Sequence, residues 1–171
     1  MALLARLGRI ARHRWHDERL LRRRLDTAAL ARLQAALAAS EARHSGQIRV
    51  CVEASLPWGA LWRQATPRQR ALALFSDLGV WDTEANNGVL VYLLMAEKAI
   101  EIVADRAVAR VVPASQWAEL LAGMQAEFGA GRFETGLAGA IAAVDGVLSA
   151  HFARAPGQAQ ANELPDEIVL R

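Results

Sequence analysis

Oxygen-bearing side chains gather on either side of one predicted hairpin. Asp82, Glu84, Asn86 and Asn87 precede the apolar run Gly88-Val-Leu-Val-Tyr-Leu-Leu-Met95, and Asp105-Arg106 follow the strand that returns from it. In an antiparallel pair the start of one strand lies beside the end of the next. Asn86-Asn87 and Asp105-Arg106 are therefore expected at one edge of a sheet. Hard oxygen ligands collected there suit Ca2+ or Mg2+. The competing reading is turn chemistry, in which Asp, Asn and Arg side chains hydrogen-bond loop backbones. It is the more economical on residue types alone, because the segment lacks the dense acidic loop of a strong calcium site.

No catalytic residue can be assigned. The chain has no Gly-x-x-x-x-Gly-Lys loop, no Gly-x-Ser-x-Gly elbow, no His-Glu-x-x-His and no cysteine cluster. His13, His16, His44 and His151 have no ligand or nucleophile at useful spacing, and His44 suits a helix C-terminus. The single cysteine, Cys51, falls in a predicted strand, where it is a packing residue and cannot form an internal disulfide.

The elements that position the polar edge are legible from periodicity. Gly88–Met95 is apolar on both faces, which predicts a central strand in a covered sheet. It is entered through Asn86-Asn87-Gly88, residues that tolerate left-handed backbone angles. A turn at Ala96-Glu97-Lys98 leads into a third strand near 99–104. The first strand is expected over 47–54, with Ile48, Val50 and Val52 on a drier face and Arg49, Cys51 and Glu53 opposite. Asp26 caps a helix running to about Arg43, and Thr66-Pro67-Arg68-Gln69 opens another that Gly79 stops. Leu56 to Ala65 reads as a loop whose Trp58 and Trp62 pack over the sheet edge. A helix bearing Trp117, Leu120, Leu121, Met124 and Phe128, and a last one bearing Leu137, Ile141, Val144, Leu148 and Phe152, complete the order. The expected fold is α/β: a three-layer α/β/α sandwich with a small mixed sheet and helices on both faces.

Composition divides the chain further. With 53% hydrophobic and 22% charged residues over 171 positions, one well-cored domain is expected. Residues 1–25 carry eight arginines against Asp17 and Glu18, a net +6, which leaves −4 for the remainder of a chain whose total is +2. The segments expected are a basic amphipathic helical segment at 1–25, an α/β domain at 26–153 and a flexible tail at 154–171 in which Ile168-Val169-Leu170 can dock. Leu3, Leu4, Leu7, Ile10, Ala11 and Trp15 share one face of the first helix. Two readings follow for residues 2–16: attachment to an anionic membrane surface or a partner, or a helix docked on the domain with its arginines solvated. The second is simpler, because the apolar face is only a few residues long. No uninterrupted apolar run approaches the ~20 residues of a membrane span, and no secretory signal pattern is present.

Five motifs in order resemble the TPM domain family over residues 26 to 153. They are Ser45-Gly46-Gln47-Ile48-Arg49-Val50, Asn86-Asn87-Gly88-Val89-Leu90-Val91, Glu97-Lys98-Ala99-Ile100-Glu101-Ile102, Trp117, and Gly131-Arg132-Phe133-Glu134-Thr135-Gly136-Leu137. The resemblance implies divalent-metal binding and, by analogy with plant relatives, acid phosphatase activity. Two departures weaken the latter. Asn86 stands where relatives usually place an acidic residue. Ala104-Asp105-Arg106-Ala107-Val108 replaces a Gly-x-Gly-(Leu/Ile)-Glu pattern, removing a ligand and a close backbone approach to phosphate.

The expected function is a non-enzymatic accessory or interaction domain that binds a divalent cation and acts with envelope or membrane proteins. A metal-dependent phosphatase using Asp82, Glu84, Asn87 and Asp105 is the alternative. Nucleic-acid binding through the N-terminal arginines is a third reading, disfavoured by the acidic domain and the lack of an aromatic-basic platform. A cytoplasmic location, peripheral to the inner membrane, is expected.

Overall fold

The computed structural model describes residues 2–154 and 163–171. Two helices form where one was expected: α1 (Ala2–Trp15) and α2 (Glu18–Arg24). Asp17 separates them, because its extended backbone and its carboxylate, which accepts the Leu20 N–H at 2.8 Å, start a new helix. Asp26 caps α3 (Thr27–Glu41) in the same way. β1 (Gln47–Glu53) follows, then α4 (Trp58–Trp62), a short helix in the segment expected to be a loop. Its tryptophans do not cover the sheet edge: Trp58 is 58% and Trp62 68% exposed.

α5 (Pro67–Asp77) opens with the full capping box of Thr66 and Gln69. β2 (Gly88–Leu94) and β3 (Ala99–Ala104) are joined through a turn that closes on Lys98 in the left-handed region, φ 51°. Asp105 then caps an unanticipated helix, α6 (Arg106–Val111), ahead of α7 (Ala114–Gly129) and α8 (Phe133–His151). The chain ends in β4 (Val169–Leu170).

The sheet order is β3-β2-β1-β4. β1 runs parallel to β2 from Gln47↔Gly88 to Glu53↔Leu94, and β3 is antiparallel to β2 from Val89↔Ala104 to Leu94↔Ala99. Helices cover both faces, so the molecule is the three-layer sandwich with a mixed sheet. On one face Val89, Val91 and Leu93 join Ile48, Val50 and Val52 in a core with Leu33, Leu37, Phe128, Leu137, Ile141, Val144 and Leu148. On the other, Leu90, Tyr92 and Leu94 meet Ala71 and Leu74 of α5. Every residue of β2 is buried, as its unbroken apolar run requires.

β1 departs from its expected half-dry pattern. Cys51 and Glu53 are also buried, because α5 closes the second face. Glu53 tolerates this because Arg70 binds it through two nitrogens and the Tyr92 hydroxyl donates to Oε2 at 2.7 Å. Burial pushes the Cys51 thiol up to about 12, which removes it as a nucleophile.

The tail divides. Residues 155–162 lie outside the described part, and residues 163–171 lie on the domain, where Val169 pairs beside Cys51 as a parallel strand. Arg49 reaches across to the carbonyls of Pro165 and Glu167. Among the described residues α8 alone has the length and composition of a membrane span, with a mean hydropathy of 1.3. Leu137, Ile141, Val144 and Leu148 of that helix are core.

Candidate functional site

The polar edge is built where β2 begins. Its local chain path is set by steric limits at Gly88: a Cβ there would lie 2.1 Å from the Val80 carbonyl oxygen, so no side chain fits without moving backbone. The left-handed residue is Asn86, at φ 52°, and not the glycine. This brings Asn87 inward, fully buried. Its backbone N–H donates to Thr83 Oγ1 at 3.1 Å, and its Nδ2 donates to the Ser45 carbonyl at 2.9 Å. Asn87 Oδ1 is buried with no hydrogen-bond partner among the described residues.

The end of β3 supplies the other half. The Asp105 N–H donates to Gly88 O at 2.8 Å, one residue from Asn87. Asp105 Oδ1 accepts the Arg106 N–H at 2.6 Å as the cap of α6, while Oδ2 is buried and unpartnered among the described residues. Arg106 Nη2 donates to Asn86 Oδ1 at 2.6 Å, and the Ala107 N–H donates to the Asn86 carbonyl at 3.0 Å. The guanidinium Nε also stands 3.9 Å from Asp105 Oδ1. Much of the edge is therefore turn and cap chemistry, with two oxygens left over.

Of the residues singled out by sequence, Asn86, Asn87, Asp105 and Arg106 share this rim. Asp82 and Glu84 do not: both are exposed, and their carboxylates have no contact with Asn87 or Asp105 among the described residues. The Glu84 backbone N–H instead donates to the Glu163 carboxylate at 2.8 Å. Sequence reasoning missed Ser45, Thr83 and Gln47. Gln47 Oε1 accepts the N–H groups of Glu163 and Leu164 at 3.1 and 3.2 Å, pinning the tail next to the rim. A buried Gln at the start of a strand carries no local pattern that would reveal this.

A second polar cluster was also missed. Ser40 Oγ lies 2.9 Å from His44 Nε2 and donates to Asp145 Oδ1 at 3.0 Å, and Arg43 grips the same carboxylate at 2.7 Å. The residue types are those of a hydrolase triad, but the arrangement is not. Asp145 and Ser40 both face Nε2, with Asp145 Oδ1 3.6 Å from it, so no relay crosses the ring. His44 is fully buried. Burial lowers its pKa, opposed by Asp145. The cluster locks α3 to α8.

Comparison with known proteins is consistent with this architecture. A family model described as the TPM domain matches residues 22–147. The NMR structure of the BA42 protein from the psychrophilic bacterium Bizionia argentinensis superposes with a TM-score of 0.72 at 26% identity, covering 84% of this chain and 93% of that one. No curated protein matches the chain.

Proposed function

The chain belongs to the TPM domain family, and from that premise we propose that it is a non-enzymatic accessory domain whose rim binds a hard divalent cation, Ca2+ or Mg2+, weakly. The observation that carries this reading is a pair of buried oxygens, Asn87 Oδ1 and Asp105 Oδ2, on adjoining strand ends and without a hydrogen-bond partner among the described residues. An unsatisfied buried acceptor costs ~1–3 kcal/mol, more when charged. A hard cation is the chemistry that repays oxygen acceptors of this kind. Asp105 and Asn87 would hold it, with water in the remaining positions. One carboxylate with an arginine beside it makes a weak site.

The same donor set favours binding over hydrolysis. No group of three or more His, Cys, Asp or Glu side chains able to hold a metal occurs among the described residues. Among the described residues no second carboxylate is bonded to Asn87 or Asp105, and the nearby Glu163 carboxylate is held on the Glu84 N–H, which leaves no base placed to take a proton from an attacking water. A weakly held cation with open positions can instead meet an anionic group on a membrane or envelope protein.

Calorimetric titration of Ca2+ and of Mg2+, alongside thermal melts, tests this. The expected result is a dissociation constant of roughly 10⁻⁴–10⁻³ M and a raised melting temperature. At about ten times that concentration the gain is about 1.4 kcal/mol. Asp105→Asn should abolish both effects. Absence of heat and of any melting shift at millimolar ion, or an unchanged response in Asp105→Asn, overturns the reading. Turnover of a phosphate ester that depends on Asp105 would replace it with the hydrolase.

A further inference from the structure

α1 is docked the wrong way round for a helix that serves the core. Positions three and four apart share a helical face, which places Arg6, Arg9, Ile10 and His13 on one side and Leu4, Leu7, Ala11 and Trp15 on the other. The polar side is the one that meets the domain. Arg9 Nε pairs with Glu97 at 2.6 Å, and Arg9 Nη2 donates to the Ala65 carbonyl at 2.7 Å. His13 is 4% exposed, bonded through Nε2 to Glu97 at 2.9 Å and accepting the Leu56 N–H on Nδ1 at 3.0 Å. Of the apolar residues with described side chains, only Ile10 turns inward, packed beside the second core. Leu4 is 75%, Leu7 54% and Trp15 82% exposed, and Ala11 is exposed with them. The side chain of Leu3, the remaining member of the expected face, lies outside the described part.

We propose that this outward stripe is a membrane-surface face, and that its occupant is the interfacial region of a bilayer rich in anionic lipid. Charge selects that occupant. Arg12 and Arg14 are exposed and flank the stripe on its two sides, and Arg19, Arg23 and Arg24 are exposed on α2. None of these five has a carboxylate partner among the described residues, whereas Arg9 and Arg22 do. Leucine and tryptophan on one side with unpaired arginines around them is the composition of a helix lying in the headgroup plane. The Arg6 guanidinium sits 4.7 Å over the Trp62 ring, which fixes a further exposed aromatic beside α1. The half-buried Glu97 contacts to Arg9 and His13 hold the helix in place, so the stripe is presented by a folded domain and needs no release.

The test is co-sedimentation of the full chain with vesicles of phosphatidylcholine alone and of phosphatidylcholine with phosphatidylglycerol, in the presence of a chelator so that calcium cannot bridge. Retention on the anionic vesicles, and ~10-fold or weaker partition onto the neutral ones, is expected. Leu7→Glu and, separately, Arg12→Glu with Arg14→Glu should each lower partition at least ~10-fold. Both alter exposed positions, so circular dichroism melts should match the parent, and two independent variants guard against a folding defect in one. Asp105→Asn should bind vesicles as the parent does, which separates this inference from the cation reading. Equal binding by Leu7→Glu, or equal binding to neutral and anionic vesicles, overturns the proposal. So does a dimer in sedimentation velocity that Leu7→Glu dissociates while neither form binds vesicles; the stripe would then be a self-association face.

Discussion

α8 and α1 sit on the same domain by opposite means. α8 is the apolar helix, and it buries Leu137, Ile141, Val144 and Leu148 against the sheet and α3. α1 is the arginine-rich helix, and it docks through Arg9 and His13 on the single carboxylate of Glu97 while its leucines face out. Apolar packing is non-directional and scales with the area removed from water. The α1 contact is directional and depends on a few atoms. One helix is thus part of the core, and the other is a fixture whose exposed side is free for a second role. The helix with the length and composition of a membrane span here packs one face into the core, and a helix interrupted by arginines carries exposed apolar surface.

This contrast can be broken most sharply by trimming a leucine on each helix. Leu137→Ala should cost ~2–5 kcal/mol in urea denaturation, whereas Leu7→Ala should stay within about 0.5 kcal/mol. A comparable loss at both positions would mean that α1 packs through its apolar side after all.

His13→Ala tests the polar half. It leaves the buried Leu56 N–H without its acceptor and removes one partner of Glu97. A loss of ~1–3 kcal/mol is expected, with faster hydrogen exchange in α1 and unchanged protection in β2. The same contact has a pH signature. The His13 hydrogen bond, helped by Arg9 and opposed by burial, holds Glu97 below its ordinary carboxylate value. Its contribution is therefore present above about pH 4.5 and is lost as pH falls through the depressed value. Docking of α1 that survives at a pH where α8 has already loosened would contradict the assignment.

A second pH signature separates the rest of the α3–α8 core from the tail that leans on it. Burial raises Glu41 to about 7, against the Ile48 N–H that it accepts and with Asp166 of the tail adding to the rise. The protonated form is favoured in the fold, so this contribution is complete below the ordinary value and fades as pH rises through about 7. Stability should decline between about pH 4.5 and about pH 7, no more steeply than about 1.4 kcal/mol per pH unit for one proton. Glu41→Gln should flatten the decline. An unchanged slope in that variant would place the titrating group elsewhere.

What could be read along the chain is what neighbouring residues decide. The unbroken apolar run of β2, the caps at Asp26 and Thr66, and the Asn-Asn-Gly entry are local choices whose energetics involve residues within a turn of one another. They were enough for the three strands, the order of the long helices and the layered fold. The meeting of Asn86-Asn87 with Asp105-Arg106 was legible too, since a short hairpin leaves its two ends little freedom.

Only the tertiary structure decided which side of α1 faces in, that Gln47 and Arg49 hold a returning tail, and which oxygens at the rim stay without partners. His13 meets Glu97 across 84 positions, and Gln47 meets Glu163 across 116. An amphipathic pattern states that a helix has two sides, but the side that docks depends on what the domain offers. Here the half-buried carboxylate of Glu97 outcompeted an apolar surface already filled by α5 and β2. The leftover oxygens follow the same rule: Asn87 commits its Nδ2 to the Ser45 carbonyl, 42 positions away, Asp105 commits Oδ1 to the cap of α6, and among the described residues nothing meets the remaining oxygen of either.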